Sequence, residues 1–247
     1  IVDEPNELIF TTDSVSVTCF GGNDGQASIN YISGGNQSNM TFLWNDGQTT
    51  ATAIGLIAGT YSCIITYNNI CINTAIVIVD EPNELIFTTD SVSVTCFGGN
   101  DGQASINYIS GGNQSNMTFL WNDGQTTATA IGLIAGTYSC IITYNNICIN
   151  TAIVIVDEPN ELIFTTDSVS VTCFGGNDGS ATVNIISGGN PPITFLWNDG
   201  QTTATAIELI AGTYSCIITY NNICINTAIV IVDEPNELIF TTDSVSV

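Results

Sequence analysis

Internal repetition constrains this chain more than any other feature. Residues 1–77 and 78–154 are identical, residues 155–230 are a near-copy one residue shorter, and residues 231–247 open a fourth copy. Ile1, Ile78, Ile155 and Ile231 each begin the phrase IVDEPNELIFTTDSVSV. Each copy must therefore be one structural unit or part of one. An enzyme rarely needs the same site three times in succession, whereas a stalk or fibre needs length made from identical units. The first residues continue a repeat and the last stop inside one, so the chain reads as a window cut from a longer polymer. No signal peptide is visible.

The side chains exclude much else. There is no Lys, Arg or His against 23 acidic residues. Nucleic acid is not an expected partner, because phosphate binding needs cations to displace counterions, and anionic membrane surfaces are disfavoured for the same reason. Ser-His-Asp, Cys-His and Ser-Lys devices, Schiff-base lysines and histidine metal ligands are all impossible, as is a Lys–Asn isopeptide cross-link. The acidic excess keeps a long fibre soluble. Hydrophobic residues make up 44% and charged ones 9%, which is not the composition of a disordered acidic tail. The longest apolar runs, such as Ala75-Ile76-Val77-Ile78-Val79, are far too short to cross a bilayer.

Short alternating runs separated by Gly/Asn/Asp turns predict an all-β fold of tandem immunoglobulin-like sandwiches. In the first copy the predicted strands are 7–12, 14–19, 26–33, 40–44, 50–56, 60–67 and 71–79. Turns fall at Gly21-Gly22-Asn23-Asp24-Gly25, Gly34-Gly35-Asn36 and Asn45-Asp46-Gly47, residues that tolerate positive φ. Alternation puts Met40, Phe42 and Trp44 on one face of their strand, and Tyr61, Cys63, Ile65 and Tyr67 on one face of theirs. Tyr61, two residues before Cys63, is placed like the tyrosine corner of such sandwiches. A unit this small has a marginal core and leans on disulfides and neighbours. The expected organisation is a tail at 1–4, sandwiches at 5–80, 81–157 and 158–233, and the start of a fourth at 234–247. The joint Asp80-Glu81-Pro82-Asn83 is short and stiff, so a linear, semi-rigid rod is expected.

Cys173-Phe174-Gly175-Gly176-Asn177-Asp178-Gly179-Ser180-Ala181-Thr182-Val183, then Ser187-Gly188-Gly189-Asn190-Pro191-Pro192-Ile193-Thr194-Phe195-Leu196-Trp197, Leu209-Ile210-Ala211-Gly212-Thr213-Tyr214 and Cys224 together resemble the SprB repeat. Copies one and two depart where Gln37-Ser38-Asn39-Met40 and its counterpart replace the Pro-Pro turn. The resemblance extends over every repeat. It implies very large surface adhesins of Bacteroidota, including gliding flavobacteria: extracellular, type IX-secreted filaments or stalks with an immunoglobulin-like sandwich per repeat.

Nine cysteines fall three per repeat, and in a secreted β-repeat structural disulfides are expected. The resemblance implies pairing of Cys19 with Cys71, hence also Cys96 with Cys148 and Cys173 with Cys224. It leaves Cys63, Cys140 and Cys216 at a position normally aliphatic. Cys19–Cys63 competes, because Tyr61-x-Cys63 matches the immunoglobulin strand that carries a cross-sheet disulfide. A third option bridges repeats, Cys19 to Cys148. The alternative fate of a leftover cysteine is a buried hydrophobe. No zinc spacing is present.

Asp3, Glu4, Glu7, Asp80, Glu81 and Glu84 at the joints, with Asp24 and Asp46 in turns, are candidate calcium ligands. The alternative is turn chemistry and solubility, since no DxDxDG loop occurs. Asp13-Ser14-Val15, Asp90-Ser91-Val92, Asp167-Ser168-Val169 and Asp243-Ser244-Val245 resemble the Bacteroidota O-glycosylation acceptor, which makes Ser14, Ser91 and Ser168 candidate sugar sites. Asn36-Gln37-Ser38 and Asn39-Met40-Thr41 fit the N-glycan rule, which has little force in a bacterial protein. The expected function is a non-catalytic structural filament whose partners are copies of itself. The alternative is a tandem glycan- or surface-binding module using Trp44, Tyr31 or Tyr67. Catalysis by paired carboxylates has no support beyond composition.

Overall fold

A computed structural model describes residues 7–34, 39–68, 71–112 and 114–242. Asp3, Glu4, the Asn36-Gln37-Ser38 acceptor and Asp243-Ser244-Val245 lie outside the described residues. Repeat 1 contains β1 (Ile9–Val15), β2 (Gly25–Ser33), β3 (Met40–Trp44), β4 (Thr52–Leu56), β5 (Gly59–Tyr67) and β6 (Cys71–Val79). Repeat 2 contains β7 (Ile86–Val92), β8 (Gly102–Ser110), β9 (Thr118–Trp121), β10 (Thr129–Leu133), β11 (Gly136–Tyr144) and β12 (Cys148–Val156). Repeat 3 contains β13 (Ile163–Val169), β14 (Gly179–Ser187), β15 (Thr194–Trp197), β16 (Thr205–Leu209), β17 (Gly212–Tyr220) and β18 (Cys224–Val232). Among the described residues no helix is long and apolar enough to cross a membrane.

Each repeat makes two three-stranded sheets. In repeat 1 their orders are β1-β2-β4 and β3-β5-β6, and repeats 2 and 3 follow suit. Lettered as in immunoglobulin sandwiches, these are A-B-E and C-F-G with strand D missing. Every pairing in repeats 1 and 3 is antiparallel, with Trp44 opposite Cys63 and Cys63 opposite Ala75. The two sheets close on one core of Ala27, Ile29, Ala53 and Leu56 from the first and Trp44, Cys63, Ile65, Ala75, Val77 and Val79 from the second. Repeat 3 repeats this core and adds Leu162, Tyr220 and Cys224. Trp44 is 1% exposed, and its indole N–H donates to Thr50 O at 2.9 Å, so the ring is buried without an orphaned donor.

The expected strands at 7–12 and 14–19 are one strand. Asp13 does not break β1: it pairs opposite Ser28 and Ser14 opposite Ala27. The strand then ends at Val15. β1 is an edge strand with mostly exposed side chains, so it carries no clear burial alternation. On β6 the apolar run sorts by size. Ala75, Val77 and Val79 are buried, while Ile72, Ile76 and Ile78 are exposed.

Two compact units divide the chain: Ile1–Asp90 with Ile106–Ala128 and Ser139–Ile153, and Ser91–Ser105 with Thr129–Tyr138 and Val154–Val247. The strands of repeat 2 are thus shared between them, and each unit holds one disulfide, described below. After β18, residues 233–242 form no strand, and Leu238, Ile239 and Phe240 are 77–84% exposed.

Candidate functional site

The segment between β1 and β2 is held by a set of polar contacts to its own residues and to the end of β6. Val17 N–H donates to Asp80 O at 2.8 Å, which ties the exit of β1 to the end of β6. Thr18 N–H donates to Asp24 Oδ1 at 2.9 Å, and the Thr18 hydroxyl donates to Asp24 Oδ2. Gly22 N–H donates to Cys19 O at 2.9 Å. Gly21, at φ 69, turns its N–H onto Glu81 Oε2 at 2.8 Å. The pattern recurs with Thr95 and Asp101, with Thr172 and Asp178, and with Gly98 to Glu158 and Gly175 to Glu234. Hydrogen bonds from the threonine hydroxyl and then its N–H hold the Asp24, Asp101 and Asp178 carboxyls below the usual aspartate value.

The cysteine presented by this loop reaches the next repeat. Cys19 is bonded to Cys148, and Cys96 to Cys224, with Cα–Cα 5.6 Å in both. The rule is the same each time: the cysteine after the first strand of one repeat joins the cysteine that opens the last strand of the next. The within-repeat pairing implied by the family resemblance is not the one formed, and neither is Cys19–Cys63. Cys71 and Cys173 are free and exposed. Around the bonds, Cys148 Sγ lies 3.5 Å from Thr18 O and Cys224 Sγ 3.4 Å from Thr95 O. Asn221, at φ 51, donates from Nδ2 to Thr95 O at 3.4 Å.

Cys63, Cys140 and Cys216 are 0% exposed, free, and sit where immunoglobulin domains place the F-strand cysteine. The inward residues of β2 are Gly25, Ala27 and Ile29, so that strand offers no sulfur partner. Burial pushes these thiols up from the ordinary cysteine value, which keeps them un-ionised and inert as nucleophiles. Two residues earlier, Tyr61, Tyr138 and Tyr214 donate to Ile57, Ile134 and Ile210 carbonyls at 3.0–3.1 Å. This is the corner predicted from Tyr61-x-Cys63.

The remaining candidates separate. Among the calcium candidates, Glu81 accepts from Gly21, Asp46 accepts from Gln48 N–H and Nε2, and Asp24 accepts from Thr18. Asp80 acts through its carbonyl, and Glu7 and Glu84 are exposed. Among the described residues no three His, Cys, Asp or Glu side chains converge as a metal site. Ser14, Ser91 and Ser168 stand exposed on the edge strands β1, β7 and β13. Trp44, Trp121 and Trp197 are each 1% exposed and make no sugar platform. Tyr31 and Tyr67 are half-buried, and the counterpart of Tyr31, Tyr108, lines an open hollow with Ile106, Gln114, Met117 and Phe119.

One further constraint escaped the sequence reading. A Cβ on Gly111 would lie 1.7 Å from Glu84 O, and those on Gly34 and Gly188 would lie 2.0 and 1.8 Å from Glu7 O and Glu161 O. The first glycine of each Gly-Gly-Asn therefore lets the incoming chain pass against the sandwich. A turn signal was visible there, but the backbone crossing was not.

The family profile described as SprB repeat matches residues 11–49, 88–126 and 165–202. Each match spans the first three strands of a repeat and stops before the tyrosine corner and the last-strand cysteine. No curated protein matches. Solved immunoglobulin-domain structures align over most of the chain at low TM-score. A structure reported as the basis for Dscam isoform specificity is 12% identical, with 95% of this chain and 74% of that one covered and a TM-score of 0.25. The insect immune protein hemolin is 9% identical, with 91% and 76% covered and a TM-score of 0.29. A complex of Dpr2 Ig1-Ig2 with DIP-Theta Ig1-Ig3 is 10% identical, with 93% and 100% covered and a TM-score of 0.27.

Proposed function

This chain is a SprB-type repeat protein, a repeat protein of surface-adhesin character, and from that premise we propose that it is a load-bearing segment of an extracellular cell-surface filament or stalk. The observation that carries the reading is the disulfide that crosses from one repeat to the next. Successive repeats are joined twice, once by the Asp-Glu-Pro backbone and once through sulfur. Such bonds persist outside the cell and not in a reducing cytosol.

The staples have a mechanical consequence. Tension applied to the chain ends passes from β1 through Cys19 directly to Cys148, in parallel with the path along the backbone to Cys96 and across to Cys224, so the two staples keep the loop between Cys19 and Cys148 from being drawn out to its full length. That bypassed loop has a sequence separation of 129 residues. At about 3.4 Å per extended residue it withholds roughly 440 Å of length. Single-molecule pulling tests this. Under oxidising conditions the loop stays withheld, and a reductant releases at least that length. Equal contour lengths with and without reductant would overturn the load-bearing reading.

The second reading, a tandem glycan- or surface-binding module, draws support from the hollow beside Tyr108. In repeat 3, Ile185 and Ile193 replace Tyr108 and Met117. A sugar bound there would therefore engage repeat 2 and not repeat 3, and Tyr108→Ala would abolish the chemical-shift perturbations it causes in repeat 2.

A further inference from the structure

Two cysteines are left over by the staple rule, and they occupy its two complementary positions. Cys173 follows the first strand of repeat 3, as Cys19 and Cys96 follow theirs. Cys71 opens the last strand of repeat 1, as Cys148 and Cys224 open theirs. Both are exposed and unbonded, whereas Cys148 and Cys224 are 2% exposed.

The unbonded ends already hold the conformation of the bonded ones. In the Cys173 loop, Gly176 N–H donates to Cys173 O at 2.9 Å, Thr172 N–H to Asp178 at 2.9 Å and Gly175 N–H to Glu234 at 2.9 Å. The bonded Cys19 loop makes the same three contacts at 2.9, 2.9 and 2.8 Å. On the other side, Cys71 pairs opposite Tyr67 in the register by which bonded Cys224 pairs opposite Tyr220. Bonding would therefore require little reorganisation of either end. The other free thiols, Cys63, Cys140 and Cys216, are enclosed and cannot compete.

We propose that Cys173 and Cys71 are the two open halves of a further inter-repeat disulfide, each taking the matching cysteine of another identical repeat. That repeat is supplied by a second copy of this chain or by a longer run of the same chain. The inference rests on the recurrence of the staple and does not require the load-bearing reading. In the step, the two thiols lose two protons and two electrons and the S–S bond forms. The electrons reduce one disulfide of an oxidant, such as oxidised glutathione or a protein disulfide oxidoreductase, to two thiols.

Variants with one open half each provide the test, since repeats 1 and 3 share the peptide around Cys19 and Cys173 and fragment masses cannot tell them apart. The chain, Cys71→Ser and Cys173→Ser are incubated with oxidised glutathione and resolved by non-reducing electrophoresis. If second copies join, the unmodified chain forms a ladder and each variant alone stays monomeric. An equimolar mixture of the two variants then stops at dimer, at least tenfold above either alone. Dimers formed as readily by one variant alone would mean indiscriminate surface thiols and overturn the proposal.

If the unmodified chain stays monomeric, a second arm decides. In a chain lengthened by one full repeat, the free-thiol count in denaturant rises by one if the new last-strand cysteine takes Cys173. That outcome assigns the bond to a longer run of one chain. A rise of three overturns the proposal.

Discussion

Repeats 1 and 2 have the same sequence and different surroundings, which makes them a controlled comparison. Cys71 is exposed while Cys148 is 2% exposed; Tyr67 is half-buried while Tyr144 is 5% exposed; Leu8 is half-buried while Leu85 is 4% exposed. No side chain differs, so the environment makes the difference. For Cys148 that environment is Cys19 and the Thr18 carbonyl from the preceding repeat. In repeats 2 and 3 the end of the sandwich that carries the last-strand cysteine is therefore finished by the preceding repeat. A 76- or 77-residue unit that buries too little by itself gains a cross-link and a covered end in one contact.

The largest expected effect separates these two cysteines. In the chain-entropy account, closing a loop of 129 residues' separation stabilises by about 4–5 kcal/mol. Cys148→Ser should shift the urea midpoint, followed by tryptophan fluorescence, to a degree commensurate with that loss. Cys71→Ser, at the identical but open position, should change stability by less than about 0.5 kcal/mol. Equal shifts would mean that the staple contributes nothing beyond the removal of a side chain.

A second contrast lies between two glycines of repeat 2. Gly111 has φ 77 with Glu84 O in the path of any Cβ, whereas Gly124 has φ 93 with open space around it. Gly124→Ala incurs only the left-handed backbone penalty, about 1–2 kcal/mol. Gly111→Ala must also push the incoming chain away, and about 3 kcal/mol or more is expected. Thermal unfolding of the two variants measures the gap. If they match, the passage of Glu84 against the sandwich is not a constraint.

Local patterns were legible where they were strong. The β3 and β6 boundaries match the predicted runs at 40–44 and 71–79, because Gly/Asn/Asp turns flank them on at least one side. The tryptophan core and tyrosine corner followed from alternation and from Tyr61-x-Cys63. Long-range choices were less legible. The staple joins residues 129 apart, and with three cysteines in identical repeats every intra- and inter-repeat pairing has the same local signature. Likewise, Ala75-Ile76-Val77-Ile78-Val79 is apolar on both faces, so only packing against Trp44 and its neighbours decides that the smaller side chains go in. Asp13 read as a strand break because an isolated acidic residue resembles a turn, yet on an edge strand its side chain reaches solvent and accepts from Ser14 N–H.

Repeat 3 supplies a smaller comparison with the other two. At the position of Gly55 and Gly132, both at φ 68, it has Glu208 at φ 57. A left-handed residue with a Cβ costs about 1–2 kcal/mol, offset by the about 0.5–1 kcal/mol of chain entropy that glycine forfeits. Glu208→Gly should therefore stabilise repeat 3 by about 0.5–1 kcal/mol, visible as a small rise in its unfolding midpoint. The reverse change, Gly132→Glu, should lower repeat 2 by a similar amount. A destabilising Glu208→Gly would show that the glutamate makes a compensating contact.

The smallest effect distinguishes stapled from open loops by acid. Asp24, Asp101 and Asp178 have carboxyl values depressed below the ordinary 3.8 by the same threonine contacts. A depressed carboxyl contributes stability that is fully present above its unfolded value and is lost as pH falls through its folded value. The window therefore opens at about pH 4 and extends downward. Protonation removes the acceptor for Thr172 in a loop held by hydrogen bonds alone, but for Thr18 and Thr95 the neighbouring Cys19 and Cys96 bonds still restrain the loop. Acid should thus perturb the amide signals of residues 172–178 more than those of 95–101. Reducing the staples should erase that difference. If the two loops respond alike while oxidised, the disulfide does not restrain the loop that carries it, and the hydrogen bonds alone set its shape.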